Sequence, residues 1–491
     1  MGYGVKIIFS GLAVAQLLSL LHVRLSNIRY YEKLMAIRDA GYLAIPASGA
    51  MERLSAFGSA FWGGLFFTLS VGLCLTFIGM GAAWIWDRIL KRDRRFIVSA
   101  LVFWLGLVLL LNSGGFSILA TSYVLVIPPL VFGLSARRMP QSQDRNAAKK
   151  GLAHIVCFIL LAGLGSGHLT ASGFSLIRDH LLLTHPVGIH LNNLYYTHTL
   201  YAAQVFKSPA QDPMRTCRIS VSDADLSGRL RRVMLSCRYL VTDRSDVADL
   251  EIAGDRQALV FKSHGREILT VSHTELMRKP GKTLKAFSQQ CDRYGGFRQF
   301  TFLSLLLVSG LCIYLILWLP FRLIFSMMPN RTAASFFPIA ACLIAGSVGI
   351  FVLQARKPPV FSPAALKAAL SSGAADQRVE ALKYAVRNRE DIGRFGVQDR
   401  MAHSPHMPER YWLVRALAFS HAPSTYETVL TLLDDPQINV AYTAFDVLAR
   451  RGERQAVGEI LKRIERSEHW YVQLYACSAL RRLGWKQSAS R

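Results

Sequence analysis

The sequence predicts a polytopic α-helical membrane protein of about seven spans. A small soluble α+β domain is inserted between the fifth and sixth spans, and a repetitive helical domain follows the seventh. Three observations carry this prediction. Up to about residue 355 the chain keeps returning to apolar runs of membrane-spanning length. One polar segment, 178–298, interrupts them with short stretches of strand character. Beyond it, Val440, Ala444, Leu448 and Gly452 recur 32 residues later as Val472, Ala476, Leu480 and Gly484, within polar helix-forming sequence.

Composition agrees. The chain has 491 residues, 52% of them apolar, and a formal net charge of +25. In a membrane protein such an excess normally sits in cytoplasmic loops and attracts anionic lipid headgroups, so membrane lipids are expected partners. No basic stripe interleaved with aromatics appears, and no nucleic acid partner is expected.

The apolar runs cover roughly 5–23, 57–86, 96–112, 116–134, 152–174, 299–319 and 335–354. This divides the chain into a membrane region over 1–177, the insert over 178–298, two further spans over 299–355 and the repeat domain over 356–491. The first run follows Lys6 like a signal peptide. His22, Val23 and Arg24 follow where a small-residue cleavage site would be needed, so it reads as an uncleaved span. Residues 25–56 read as a partly amphipathic connection lying along the interface. The third run is the shortest and is expected to form a hairpin with the fourth across Asn112–Gly115. Gly63, Gly64, Gly72, Gly79, Gly81, Gly163, Gly165 and Gly167 would let helices approach closely. The absence of charge at mid-span favours a packed bundle over an ion-coupled route.

Basic loops set the orientation. Residues 88–95 (RILKRDRR) and the loop over 137–150 are both expected in the cytoplasm. Counting spans from them places the N-terminus inside and the insert outside a bacterial inner (plasma) membrane. The C-terminal repeats then also fall outside. A re-entrant seventh segment, for which Arg356 and Lys357 speak, would return the repeats to the cytoplasm.

The insert opens with LNNLYYTHTLYAAQVF, which reads as helix. CRISV, RVMLSCRYLV, QALVFKSHG and EILTVSH read as strands. In an oxidising compartment Cys217 and Cys237 are the simplest disulfide pair, leaving Cys291 free. Asp223, Asp225, Ser227 and Gly228 imitate the start of a calcium loop, but Met234 stands where the closing Glu belongs, so a polar turn between strands is expected.

Six histidines fall between 154 and 198, and His180, His185, His190 and His198 sit near the membrane surface. Imidazoles there could ligate a metal or haem iron. Steps of five residues turn a helix by about 140°, so 180, 185 and 190 do not share one face. Pro186 also breaks the helix. No cofactor is predicted, and a haem or metal site on these four is the alternative. The adjoining tyrosines suit interface anchoring, or else a ligand site. No nucleophile, phosphate-loop or dinucleotide motif occurs in a suitable context, so catalysis is not the leading expectation.

YETVLTLLDDPQINVAYTAFDVLARRG and AVGEILKRIERSEHWYVQLYACSALRRLG each pair two amphipathic helices across a short turn. With AALKAALSSGAADQRVEALKYAV and a degenerate unit containing ERYWLVRALAFSH, the last quarter of the chain resembles bacterial HEAT-like repeat proteins. The resemblance implies an α-solenoid whose concave face binds protein partners. Trp412, Arg415, Trp470 and Tyr471 are the candidate contacts. The leading expectation is a membrane scaffold or assembly protein. A redox or cofactor-binding subunit using the histidines, and a transporter or lipid-modifying enzyme, are the alternatives.

Overall fold

The structure is a computed structural model that describes residues 2–138, 145–166, 178–179, 183–330, 332–355 and 359–487. Gly167, His168, His180, Arg356 and Lys357 lie outside the described residues. The protein is mostly helical, with one small mixed sheet. Among the described residues, seven helices are long and apolar enough to cross a membrane.

The first helix, α1 (Gly2–Asp39), has 38 residues and is therefore about 57 Å long, against a hydrocarbon core of about 30 Å. The expected interfacial connection over 25–56 is thus corrected: its first part continues α1. Nothing between Ser26 and Asp39 stops a helix, since neither Gly nor Pro occurs before Gly41. Tyr30, Leu34 and Ile37 are buried on that extension, so tertiary packing holds it in place.

The second span runs from Phe57 to Arg88 and contains a π-helical turn at Thr68–Gly72. Close approach explains several of its glycines. A Cβ on Gly72 would lie 2.4 Å from the Ala15 methyl, and one on Gly79 would lie 3.0 Å from the Pro128 carbonyl oxygen. Gly81 and Gly163 face open space instead. The hairpin of Arg94–Leu111 and Ile118–Arg138 forms as expected. The Asn112 carboxamide oxygen closes its turn by accepting from the Ser117 N–H at 2.9 Å and the Thr121 hydroxyl at 3.0 Å. Helices Arg145–Ser166, Gly295–Phe325 and Ala333–Ala355 pack together around Cys157, Tyr314, Ile339 and Cys342.

The sheet has the order β2-β1-β3-β4-β5, with β1 Arg215–Val221, β2 Tyr239–Val241, β3 Leu250–Gly254, β4 Leu259–Ser263 and β5 Arg266–Val271. β1 pairs in parallel with both β2 and β3, while β4 and β5 complete an antiparallel edge. A parallel β1–β2 pair needs a crossover, and helix Ala224–Ser236 supplies it. RVMLS therefore belongs to a helix, not to the expected strand; only Tyr239–Val241 pairs. The cause is legible afterwards. Leu226, Leu230 and Met234 bury one face at four-residue steps, and Asp223 caps the start by accepting from the Asp225 and Leu226 N–H groups. Asp223 and Asp225 also pair with Arg256 and Arg229, so the supposed polar turn is a capped helix start.

The C-terminal region places helices Ala375–Asn388, Met407–Ala416, Ile438–Arg451 and Trp470–Arg482 side by side in sequence order. Gly452 and Gly484 end two of them with φ of +73° and +86°, where a side chain would be strained. The acidic turn stitches neighbours together. Asp435 accepts from two Arg410 nitrogens at 2.6 and 3.1 Å, and Asp434 pairs with Arg463 at 2.6 Å.

Candidate functional site

The sequence-predicted residues converge on one helix. Helix Pro186–Val205 begins at the extended residue His185, with Pro186 supplying a first-turn residue that needs no N–H partner. It packs against α1 and Phe57–Phe67 on one side and against Trp470–Arg482 on the other. The tyrosine tract thus lies between the long apolar helices and the C-terminal helices.

Ring contacts dominate this junction. Tyr196 meets Tyr471 edge-on at 4.9 Å between centroids and Tyr442 at 5.6 Å, and Tyr475 stacks on Tyr442 at 4.5 Å. Trp470 lies against Tyr201 at 5.3 Å and stacks on Tyr30 of α1 at 5.8 Å. Buried Asn192 and Asn439 exchange amide hydrogen bonds of 2.8 and 3.2 Å. Burial pushes the Tyr196 hydroxyl up to about 12, and that of Tyr442 further still.

At the other end of the junction Asp179, 1% exposed, gathers four donors. Its Oδ1 accepts from Arg178 Nε and Nη2 at 2.9 and 2.8 Å. Its Oδ2 accepts from Trp412 Nε1 at 2.7 Å and faces Lys383 Nζ at 3.2 Å. The Arg178 guanidinium lies 4.0 Å over the Tyr411 ring, and its Nη1 donates to the Tyr411 hydroxyl at 2.8 Å. Arg415 covers the other side of Trp412 at 4.6 Å.

Two further clamps join the aqueous segments. Lys33 on α1 donates to Asp212 and Asp249 of the sheet domain, both at 2.6 Å. Burial alone would lower the Lys33 pKa, but the two carboxylates outweigh it and hold it above the ordinary lysine value. Gln473 bonds the Ala47 backbone at 2.9 and 3.2 Å, and Arg53 pairs with Glu468 at 3.0 Å.

Trp412, Trp470 and Tyr471 therefore touch the chain's own residues, and Arg415 lies over the Trp412 ring and its neighbour Tyr411. His180 lies outside the described residues, and the other three do not form a cluster. His185 and His190 are exposed, while His198 stacks on Trp62 at 5.5 Å. Among the described residues no group of three or more His, Cys, Asp or Glu has metal-binding geometry. Cys217 and Cys237 are free thiols, since the β-register sets Cys217 opposite Leu250 and Val241 while Cys237 ends a helix.

Sequence reading missed Lys33, Arg178, Asp179 and Lys383. The available signal was charge set at the rim of apolar sequence, which marks either an interface or a buried partner. His469 was missed too. Burial, with Arg53 and His198 nearby, lowers it to about 4, and its Nδ1 accepts from the Tyr471 N–H at 3.2 Å. No known family, curated protein or solved structure matches this chain.

Proposed function

We propose that this protein is an integral membrane scaffold whose sheet domain and HEAT-like helical stack form one platform for macromolecular partners. The observation that carries this reading is the set of clamps just described, which tie the stack, the sheet domain and the outer half of α1 to one another. A chain that spends buried ion pairs on fixing the mutual geometry of its aqueous parts fits a presenting surface better than a flexible tether.

Seven crossings put residues 40–56, the insert and the C-terminal stack on one face, opposite the basic loops at 88–95 and 137–150. That supports a cytoplasmic N-terminus and an extracytoplasmic platform in a bacterial inner membrane. Within the platform, Trp412 and Trp470 are buried supports. Arg415 and Tyr471 keep partial exposure at the edge of the junction, where a partner would meet them.

The test is residue-specific photocrosslinking in cells from positions 415 and 471, with lipid-facing Phe103 as control and compartment reporters at 243 and after 487. The reading expects discrete protein adducts from 415 and 471, absent at 103, and both reporters outside. Reporters on opposite faces, or no adduct from either platform position, overturn it.

A further inference from the structure

The three helices packed around Cys157 and Tyr314 hold an open cleft. It lies between Arg145–Ser166 and Ala333–Ala355 and has a volume of about 480 Å³, within the ~300–1,000 Å³ range of ligand clefts. Leu152, Val156, Leu160, Ile339 and Leu343 line it, and Lys149 is the one charged group on its wall. Leu152, Val156 and Leu160 are each about half-exposed, so the cleft opens sideways where lipid would lie.

Its length and polarity select an occupant. From Lys149 to Leu160 the wall rises about 17 Å, close to half of a ~30 Å hydrocarbon core. The cleft thus begins at the membrane boundary and ends near the midplane, one leaflet deep. A packed partner helix would follow a groove across the full thickness. An acyl chain needs just one leaflet.

Charge fixes the headgroup. The described parts of the three helices around this core contain no Asp or Glu. Lys149 is exposed and has no acidic partner among the described residues. Arg322 stands at the same end: its guanidinium covers Trp318 at 4.9 Å, and Trp318 in turn meets His154, about one turn above Lys149. An ammonium and a guanidinium with no carboxylate beside them among the described residues, next to an apolar slot, complement a phosphate on a hydrocarbon chain.

We propose that this cleft is a binding site for one anionic phospholipid of the leaflet on the basic-loop side, its acyl chain along Leu152–Leu160 and its phosphate on Lys149. The site rests on the membrane reading and not on the scaffold reading, so the two fail independently.

The experiment is native mass spectrometry of the full-length protein in detergent, titrated with phosphatidylglycerol or phosphatidylcholine. The proposal expects one phosphatidylglycerol retained at least five-fold more than phosphatidylcholine. Lys149→Glu abolishes that preference. Ala340→Phe, which fills the cleft, lowers retention of both lipids. Arg94→Glu, an exposed basic residue on the same side but remote from the cleft, leaves retention unchanged. Equal retention of the two lipids by the unaltered protein overturns the proposal. So does a loss with Arg94→Glu as large as that with Lys149→Glu, which would mean general surface attraction. Thermal unfolding of each variant in the same detergent identifies any that fail to fold, and Lys149→Gln then replaces Lys149→Glu.

Discussion

Replacing Lys33 by Met keeps the length of the side chain and removes the charge that joins α1 to the sheet domain. Side-chain exposure is 8% for Lys33, 10% for Asp212 and 25% for Asp249, so both carboxylates lose their cation where water cannot fully compensate. Breaking a buried pair by removing one partner costs about 3–5 kcal/mol. Asp249 keeps hydrogen bonds from the Thr216 N–H and hydroxyl, and Asp212 keeps Lys207 nearby, which points to the lower end, about 3 kcal/mol. At ~1.4 kcal/mol per factor of ten, the fraction with α1 detached from the sheet rises more than about 100-fold. Limited trypsin digestion of the purified full-length protein reads this directly, through cleavage at Lys207 and Arg215 at pH 7.5. Acidification sharpens the test. In the unaltered protein burial pushes Asp212 up, but Lys33 and Lys207 outweigh it and hold its pKa below the ordinary carboxylate range. Its contribution is therefore present at neutral pH and is lost only as pH falls through and below that range. In Lys33→Met the stranded Asp212 titrates higher, so lowering the pH from 7.5 to 5 narrows the deficit. The neutral triple variant Lys33→Met, Asp212→Asn, Asp249→Asn returns most of the lost resistance, because no unpaired charge remains. Cleavage of Lys33→Met at the unaltered rate would refute the reasoning. A triple variant as labile as the single one would show that packing, not charge, was lost.

Gly72→Ala is expected to cost about 1–3 kcal/mol by forcing a methyl against Ala15, whereas Gly81→Ala is neutral; thermal unfolding in one detergent compares them. His469, held neutral at about 4, contributes full docking strength above its ordinary pKa of about 6.5 and loses it as pH falls from there toward 4. The loss is about 2–3 kcal/mol, and His469→Asn, which can still cap the following helix, flattens the pH profile of protease access to the repeats. Asp179→Ala strands Arg178 and Lys383 and is expected to loosen the C-terminal helices with a loss of about 3 kcal/mol, read as faster maleimide labelling of the native buried thiol Cys477. Maleimide is expected to modify Cys237 well before Cys217, which is fully buried in the sheet core.

The sequence was most legible where one periodicity rules a segment. Seven apolar runs became seven apolar helices, and the turn at Asn112–Gly115 formed where small polar residues cluster. Boundaries between environments were harder to read. α1 runs on past its apolar stretch because Tyr30, Leu34 and Ile37 find distant partners, and no local signal announces them. RVMLS carries the composition of a strand, but the step from Leu226 to Leu230 to Met234 is helical, and a short apolar run leaves that choice to context. The junction was half-legible. Trp412, Trp470 and Tyr471 stood out as large aromatics on polar helices, yet nothing local says that an aromatic's neighbour comes from the same chain. His198 and Asp179 show the same limit: each depends on a partner about 230 to 270 residues away or on a different helix.

The hydrogen bonds from Gln473 to Ala47 and from Gln487 to Leu43 close loops of 426 and 444 residues. Translation makes the two ends of those loops at opposite extremes of the process. The outer half of α1 emerges first, with Tyr30 and Lys33 on it, and waits through nearly the whole of synthesis for Trp470 to cover its aromatic face. Until then a half-apolar helix lacks the cover it has in the folded protein, and exposed apolar surface of that kind invites non-native association. Trp470 thereby acts as a late cover: a nascent chain that stops short of it leaves the Tyr30 face of α1 bare.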